Sequence, residues 1–280
     1  MAATALFGPQ ALRMRLLILP REHGAWGMLG IPLLTGTVIG LLHGGRGAPG
    51  FWFTVAAVGL FCLRTPVESL LGTAPLRAQT AAERRAAWLA AAGLAAIVLA
   101  ALAAVFRQRP GPGLLGLGAF AVLVFCLQAL LRKLGRRARL ACQLLGALGL
   151  TSAAAGAYGV VAGRWNLTAV GLWLLNWMLA ANQIHFVQLR IQSARLAGRK
   201  ERMKRGKMFL AGQTAMLLAL AFAARAGLLP ALALLAFIPV LVRGALWFLR
   251  APQPLRVRRL GLSELAHAVA FGVLLIVGFA

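Results

Sequence analysis

The amino-acid sequence predicts an all-α polytopic membrane bundle of about nine transmembrane helices, forming a single domain over residues 1–280. Three observations carry this expectation. The chain is 61% hydrophobic with a mean hydropathy of +0.82, and only 12% of its residues are charged; soluble domains carry about twice that charge density. Apolar runs of roughly 20 residues, each long enough to cross a bilayer, recur along the sequence. The runs are continuous rather than alternating, so they read as helices and not as barrel strands.

The spans fall, in order, at residues 24–42, 51–71, 87–106, 114–131, 140–161, 167–189, 208–224, 228–248 and 260–279. Pro32 and Pro239 lie inside two of them, where neighbouring helices satisfy the freed backbone and a kink is expected. Gly146, Gly149 and Gly156 permit close helix packing. Ahead of the first span, Arg13 and Arg15 precede only a short apolar run, Leu16 to Leu19, and no removable signal peptide is predicted. Cys62, Cys126 and Cys142 sit in or at the ends of spans without CxxC spacing and read as buried free thiols.

The loops set the orientation. The net charge of +25 comes from 26 Arg and four Lys. They cluster in short loops between spans, where they point to anionic membrane lipid as partner and not to nucleic acid. Of the 30 basic residues, 24 fall on the side of the amino terminus, five on the other, and Arg243 within a span. That excess predicts a cytoplasmic amino terminus and an external carboxyl terminus.

All five acidic residues are Glu; aspartate is absent. Glu83 and Glu201 lie among arginines and read as solvated partners of those charges. The other three mark helix ends, where an intramembrane charge is a functional hypothesis by default. Glu22 and His23 open the first span; Glu68 closes the second, one turn after Arg64; Asn182, His185 and Arg190 end the sixth; Glu264 and His267 open the ninth. On the predicted topology all these ends face the cytoplasm, which implies one polar cavity opening on that side. Each has a simpler reading as well. Arg64 and Glu68 at i,i+4 neutralise each other, Glu22 and His23 anchor at headgroups beside Trp26, and Ser263 caps the last helix. His43 is expected to be an ordinary loop residue on the outer side.

Pro-Arg-Glu-His-Gly-Ala-Trp at 20–26, together with Arg-Arg-Leu-Gly-Leu-Ser-Glu-Leu-Ala-His at 258–267, resembles the YwiC-like family of bacterial membrane proteins over most of the chain. A wider resemblance is to the UbiA superfamily of intramembrane prenyltransferases. It rests on Arg21…Gly27-Met28…Pro32 and on Arg136-Arg137-Ala138-Arg139 followed by Gln143 and Gly146. The polar ends around Glu68 and His185 stand where that superfamily carries two Asp-rich motifs. This resemblance implies nine helices and a central cavity near the membrane–cytosol boundary. The motifs themselves depart from the pattern. Hard Mg²⁺ prefers carboxylate oxygen, and Arg64-Thr65-Pro66-Val67-Glu68 and Asn182-Gln183-Ile184-His185-Phe186 offer one carboxylate. The usual Mg²⁺-diphosphate cofactor arrangement is therefore not expected.

Three functions follow. The first is a UbiA-like transferase of altered chemistry acting on a lipid-soluble, prenyl-type substrate. In it Glu68 and His185 serve as acid or base, and Arg21, Glu22, His23, Arg64, Arg136, Asn182, Arg190, Glu264 and His267 line the substrate site. The second is a non-catalytic binder or permease for a lipid, quinone or small anionic metabolite. The third is a metal or haem site built from His23, Glu68, His185, Glu264 and His267.

Overall fold

The computed structural model describes residues 9–20, 23–73, 76–194, 198–250 and 254–280. The α-helices are α1 (Pro9–Ile18), α2 (His23–Leu42), α3 (Gly47–Leu70), α4 (Ala81–Gln108), α5 (Pro112–Lys133), α6 (Arg139–Thr151) and α7 (Ala153–Ala162). They continue with α8 (Leu167–Gln192), α9 (Arg199–Arg225), α10 (Ile238–Leu249) and α11 (Val257–Phe279). Short 3₁₀ segments occupy Gly135–Ala138 and Ala231–Phe237, and no strand occurs among the described residues. Nine segments among them are long and apolar enough to cross a membrane, with α6–α7 and the Ala231–Leu249 stretch each counting as one. The protein is a multi-pass, all-α membrane protein. Trp88, Leu99, Leu218 and Phe222 stand more than half exposed along their helices, as side chains do when lipid is the solvent.

Contacts divide the chain into two compact units: Met1–His23 with Gly47–Pro110, and Gly24–Arg46 with Gly111–Ala280. In the first, α3 packs along α4, and α1 packs against both. The buried seam of α4 is small, with Ala87, Ala91, Val98, Ala101 and Val105, so the helices approach closely. Helix α1 was not foreseen; its Leu17 is 1% exposed. Its Arg13 reaches Glu83, so the expectation that Glu83 is a solvated loop charge is corrected. Glu83 is buried in the first turn of α4 and accepts from the Gln79 and Thr80 amides, while the Thr80 hydroxyl accepts from the Glu83 amide. That reciprocal arrangement is a capping box, which satisfies amides that the helix cannot.

In the second unit the core is built from Ile39, Tyr158, Leu172, Leu175, Phe237, Phe271 and Leu275. Helix α2 lies so close to α7 that a Cβ at Gly36 would stand 2.2 Å from the Ala154 carbonyl oxygen. Asn176 of α8 donates to Thr35 of α2 at 3.2 Å and to the Leu172 carbonyl at 2.8 Å, a polar tie inside the apolar core. His43 is more than a loop residue, since its ring meets the hydroxyl of the fully buried Tyr158 at 3.1 Å.

The fifth span is broken between α6 and α7. The Thr151 and Ser152 hydroxyls bond back to the carbonyls of Ala147 and Gly149. The Trp173 indole donates to the Leu148 carbonyl at 2.9 Å. Side-chain donors thus take carbonyls around the break, a recognised cause of kinks near Gly and Ser. Pro239 sits in the first turn of α10, just after the 3₁₀ segment, where its missing N–H costs nothing. Pro32 lies inside an unbroken α2.

Candidate functional site

Three helices of the second unit bring the sequence's polar residues together. Arg243 of α10 pairs with Glu264 of α11 and donates through Nη2 to the Asn182 side-chain oxygen on α8 at 2.7 Å. Its guanidinium also lies 4.1 Å from the Phe186 ring centroid, a cation–π contact strengthened by desolvation. The Gln183 amide donates to the Glu264 backbone carbonyl at 2.7 Å. The Arg243 and Glu264 side chains are 8% and 11% exposed. Such burial is tolerated because the charges neutralise each other; either one alone in hydrocarbon would be costly. Glu264 Oε1 is buried without a hydrogen-bond partner.

Beside this cluster lies a cavity of roughly 880 Å³. Its apolar wall is one face of α10, Ile238, Val242 and Leu246, joined by Phe186, Trp247 and Leu260. Its polar lining includes Arg190, Arg243, Arg250, Arg256 and Arg259, with Ser263 and His267. No carboxylate lines it among the described residues. Arg202 supports the rim from behind: it is buried and donates to the Trp247 and Arg250 carbonyls at 3.0 Å each. It thereby satisfies the end of α10, which would otherwise leave bare acceptors.

His267 Nδ1 is 2.6 Å from the Ser263 carbonyl. A carbonyl only accepts, so Nδ1 is the donor in this contact. Helix α11 starts at Val257 with Arg256 at its cap position; Ser263 is therefore inside the helix, and the expectation that it caps the helix is corrected. His185 turns to α9, edge-on to Phe209 with ring centroids 5.6 Å apart, and is not among the side chains lining the cavity.

Arg64 donates to Glu68 at 2.8 Å within α3 of the first unit, the i,i+4 neutralisation that was one of its two readings. Arg21 and Glu22 lie outside the described residues, as do the side chains of His23 and Arg136. Among the described residues no three His, Cys, Asp or Glu side chains gather as a metal-binding group.

Fold and site together define a multi-pass α-helical membrane protein with an arginine-rimmed cavity in its second unit. Residues 19–158 match the family described as YwiC-like protein. The chain belongs to the YwiC-like family, the match covering half of the chain where the sequence motifs had suggested most of it. The motif at 20–26 falls within the matched stretch; the motif at 258–267, and the cavity, lie beyond it. No curated protein and no solved structure matches the chain.

Proposed function

We propose that the protein binds a lipid-like anion in the cavity of its second unit. The acidic head group sits among Arg190, Arg250, Arg256 and Arg259, and the apolar part lies along Ile238, Val242 and Leu246. The observation that carries this reading is Arg190. It is half-buried on the cavity wall, has like-charged Arg202 as its electrostatic neighbour, and has no carboxylate partner among the described residues. A cation so placed calls for an anion from outside the protein. Forked guanidinium donors suit carboxylate or phosphate heads. A cavity of this size also holds a lipid-sized molecule.

The basic bias puts the amino terminus in the cytoplasm. Arg250, Arg256 and Arg259 then lie on the cytoplasmic side of a bacterial inner membrane, and the cavity opens there. Prenyl-type anions belong to the class bound. Their charge is neutralised by arginine directly, because the lining offers no carboxylate among the described residues to hold Mg²⁺.

Dodecylsulfonate, an anionic amphiphile, titrated into the protein in neutral detergent tests this. Trp247 on the cavity wall reports binding by its fluorescence. Binding is expected to saturate, to be insensitive to EDTA, to weaken with salt, and to fall at least about tenfold in Arg190→Ala, the loss of one charge-assisted contact. Unsaturable binding, or an affinity untouched by Arg190→Ala, overturns the reading.

A further inference from the structure

We propose that anion binding in this cavity is coupled to uptake of one proton at Glu264, which makes Glu264 a proton-binding site. The inference rests on the anion-binding reading above and adds a second ligand to it. Its basis is how Arg243 is engaged. One terminal nitrogen is held by Glu264 and the other by Asn182, and Nε is buried without a partner. Arg243 lines the cavity, so an anion that takes one of its donors competes with Glu264 for the same guanidinium.

The charges around Glu264 fix the direction of the coupling. Arg243 faces it from α10, and His267 lies one turn further along α11. From α8 come the uncharged Asn182 and Gln183. Among the described residues the other neighbours of α11 are uncharged: Gly27 of α2 stands beside Leu265, Ile31 and Thr35 of α2 stand beside Gly272, and the Ala231–Phe237 segment carries only alanine, leucine and phenylalanine. With the cavity empty of anion, Arg243 holds the carboxylate directly and so opposes its protonation. An arriving anion weakens that hold and adds its own repulsion. At an effective dielectric near 20, like charges about 6 Å apart change a proton affinity by roughly a hundredfold. Glu264 is 8% exposed and its Oε1 has no donor, so water compensates little of this and the unpartnered oxygen is ready to take the proton. Protonation returns the set to its starting charge. The anion replaces the carboxylate as Arg243's partner, and neutral Glu264 remains within the helix cluster.

The test counts protons. Dodecylsulfonate does not titrate near neutrality, so any pH change on mixing it with the protein in weakly buffered neutral detergent belongs to the protein. The expected result is proton uptake on sulfonate binding, a fraction of one proton at pH 7 that rises towards one as pH falls to about 5, with affinity falling as pH rises over that range. Glu264→Gln, which keeps an acceptor for Arg243, is expected to bind with no proton uptake and a flat pH profile. Saturable binding without proton uptake in the wild-type protein overturns the coupling and leaves the binding site standing. Uptake that persists in Glu264→Gln also overturns it, because the proton then goes elsewhere, with His267 the next candidate. Absence of saturable binding removes the site and the coupling together.

Discussion

Replacing Arg243 by Met strands Glu264. The carboxylate is 11% exposed on its side chain and Oε1 is already unpartnered, so both oxygens would be left in an apolar setting. Breaking a buried pair in this way costs about 3–5 kcal/mol. There is a ceiling, because the stranded group can take up a proton instead. A glutamate ionises near pH 4.3 in water, so holding it neutral at pH 7 costs about 3.7 kcal/mol. Arg243→Met should therefore lose about 3–4 kcal/mol at pH 7. In that variant the folded state holds a proton that the unfolded state lacks. The deficit consequently shrinks by about 1.4 kcal/mol for each unit that pH falls towards 4.3. In the double variant Arg243→Met/Glu264→Leu no charge is left behind, and a loss of about 1 kcal/mol, from the Asn182 hydrogen bond, is expected. Thermal melting in neutral detergent, followed by tryptophan fluorescence, measures both. At about 2–4 °C per kcal/mol, the single variant melts on the order of 10 °C below wild type at pH 7 and the double variant a few degrees below. If the double variant melts as low as the single one, neutralisation of the pair is not what Arg243 contributes.

Three further outcomes are expected. Reporter fusions should place the amino terminus in the cytoplasm and the carboxyl terminus outside; both ends on one side would rule out nine crossings. Gly36→Ala drives a methyl against the Ala154 carbonyl, whereas Gly30→Ala in the same helix meets nothing within 4 Å. The former should cost about 1–3 kcal/mol in the same melting assay, and the latter should be neutral or slightly stabilising. Trp173→Phe removes the donor to the Leu148 carbonyl, and a loss of about 1 kcal/mol is expected, seen as a melting point lower by a few degrees.

The nine spans were legible because a bilayer demands long apolar runs, and those runs are continuous in the sequence. The break between α6 and α7 was not, because one of the donors at it, Trp173, lies 25 residues from the carbonyl it bonds. Glu83 carried a readable signal that was passed over: Thr80-Ala81-Ala82-Glu83 ahead of an apolar run is the spacing of a capping box. Glu264 and Asn182 were legible as polar residues at helix ends. Arg243, which joins them, was counted as a charge within a span and given no role. Its signal was that same position, since a lone arginine inside an apolar span calls for a partner. Which of the few carboxylates supplied it depended on helix packing, which no local spacing encodes.

Arg190 tests whether an unpaired cation in a membrane protein means a ligand. It lies in the last turn of α8, where the helix macrodipole favours any cation and a long side chain can reach towards headgroups. Both effects need only a positive charge, and Lys supplies that as well as Arg. Holding an acidic head group draws instead on the planar fork of the guanidinium, which Lys lacks. Arg190→Lys therefore separates the two. A residue that serves only the dipole leaves melting and dodecylsulfonate affinity both near wild type. A residue that grips the ligand leaves melting within a degree or two, yet loses affinity several-fold, part of the way to the loss in Arg190→Ala. The second result is expected, because Arg190 stands on the cavity wall. Equal affinity in Arg190→Lys and wild type would instead assign Arg190 to the helix end.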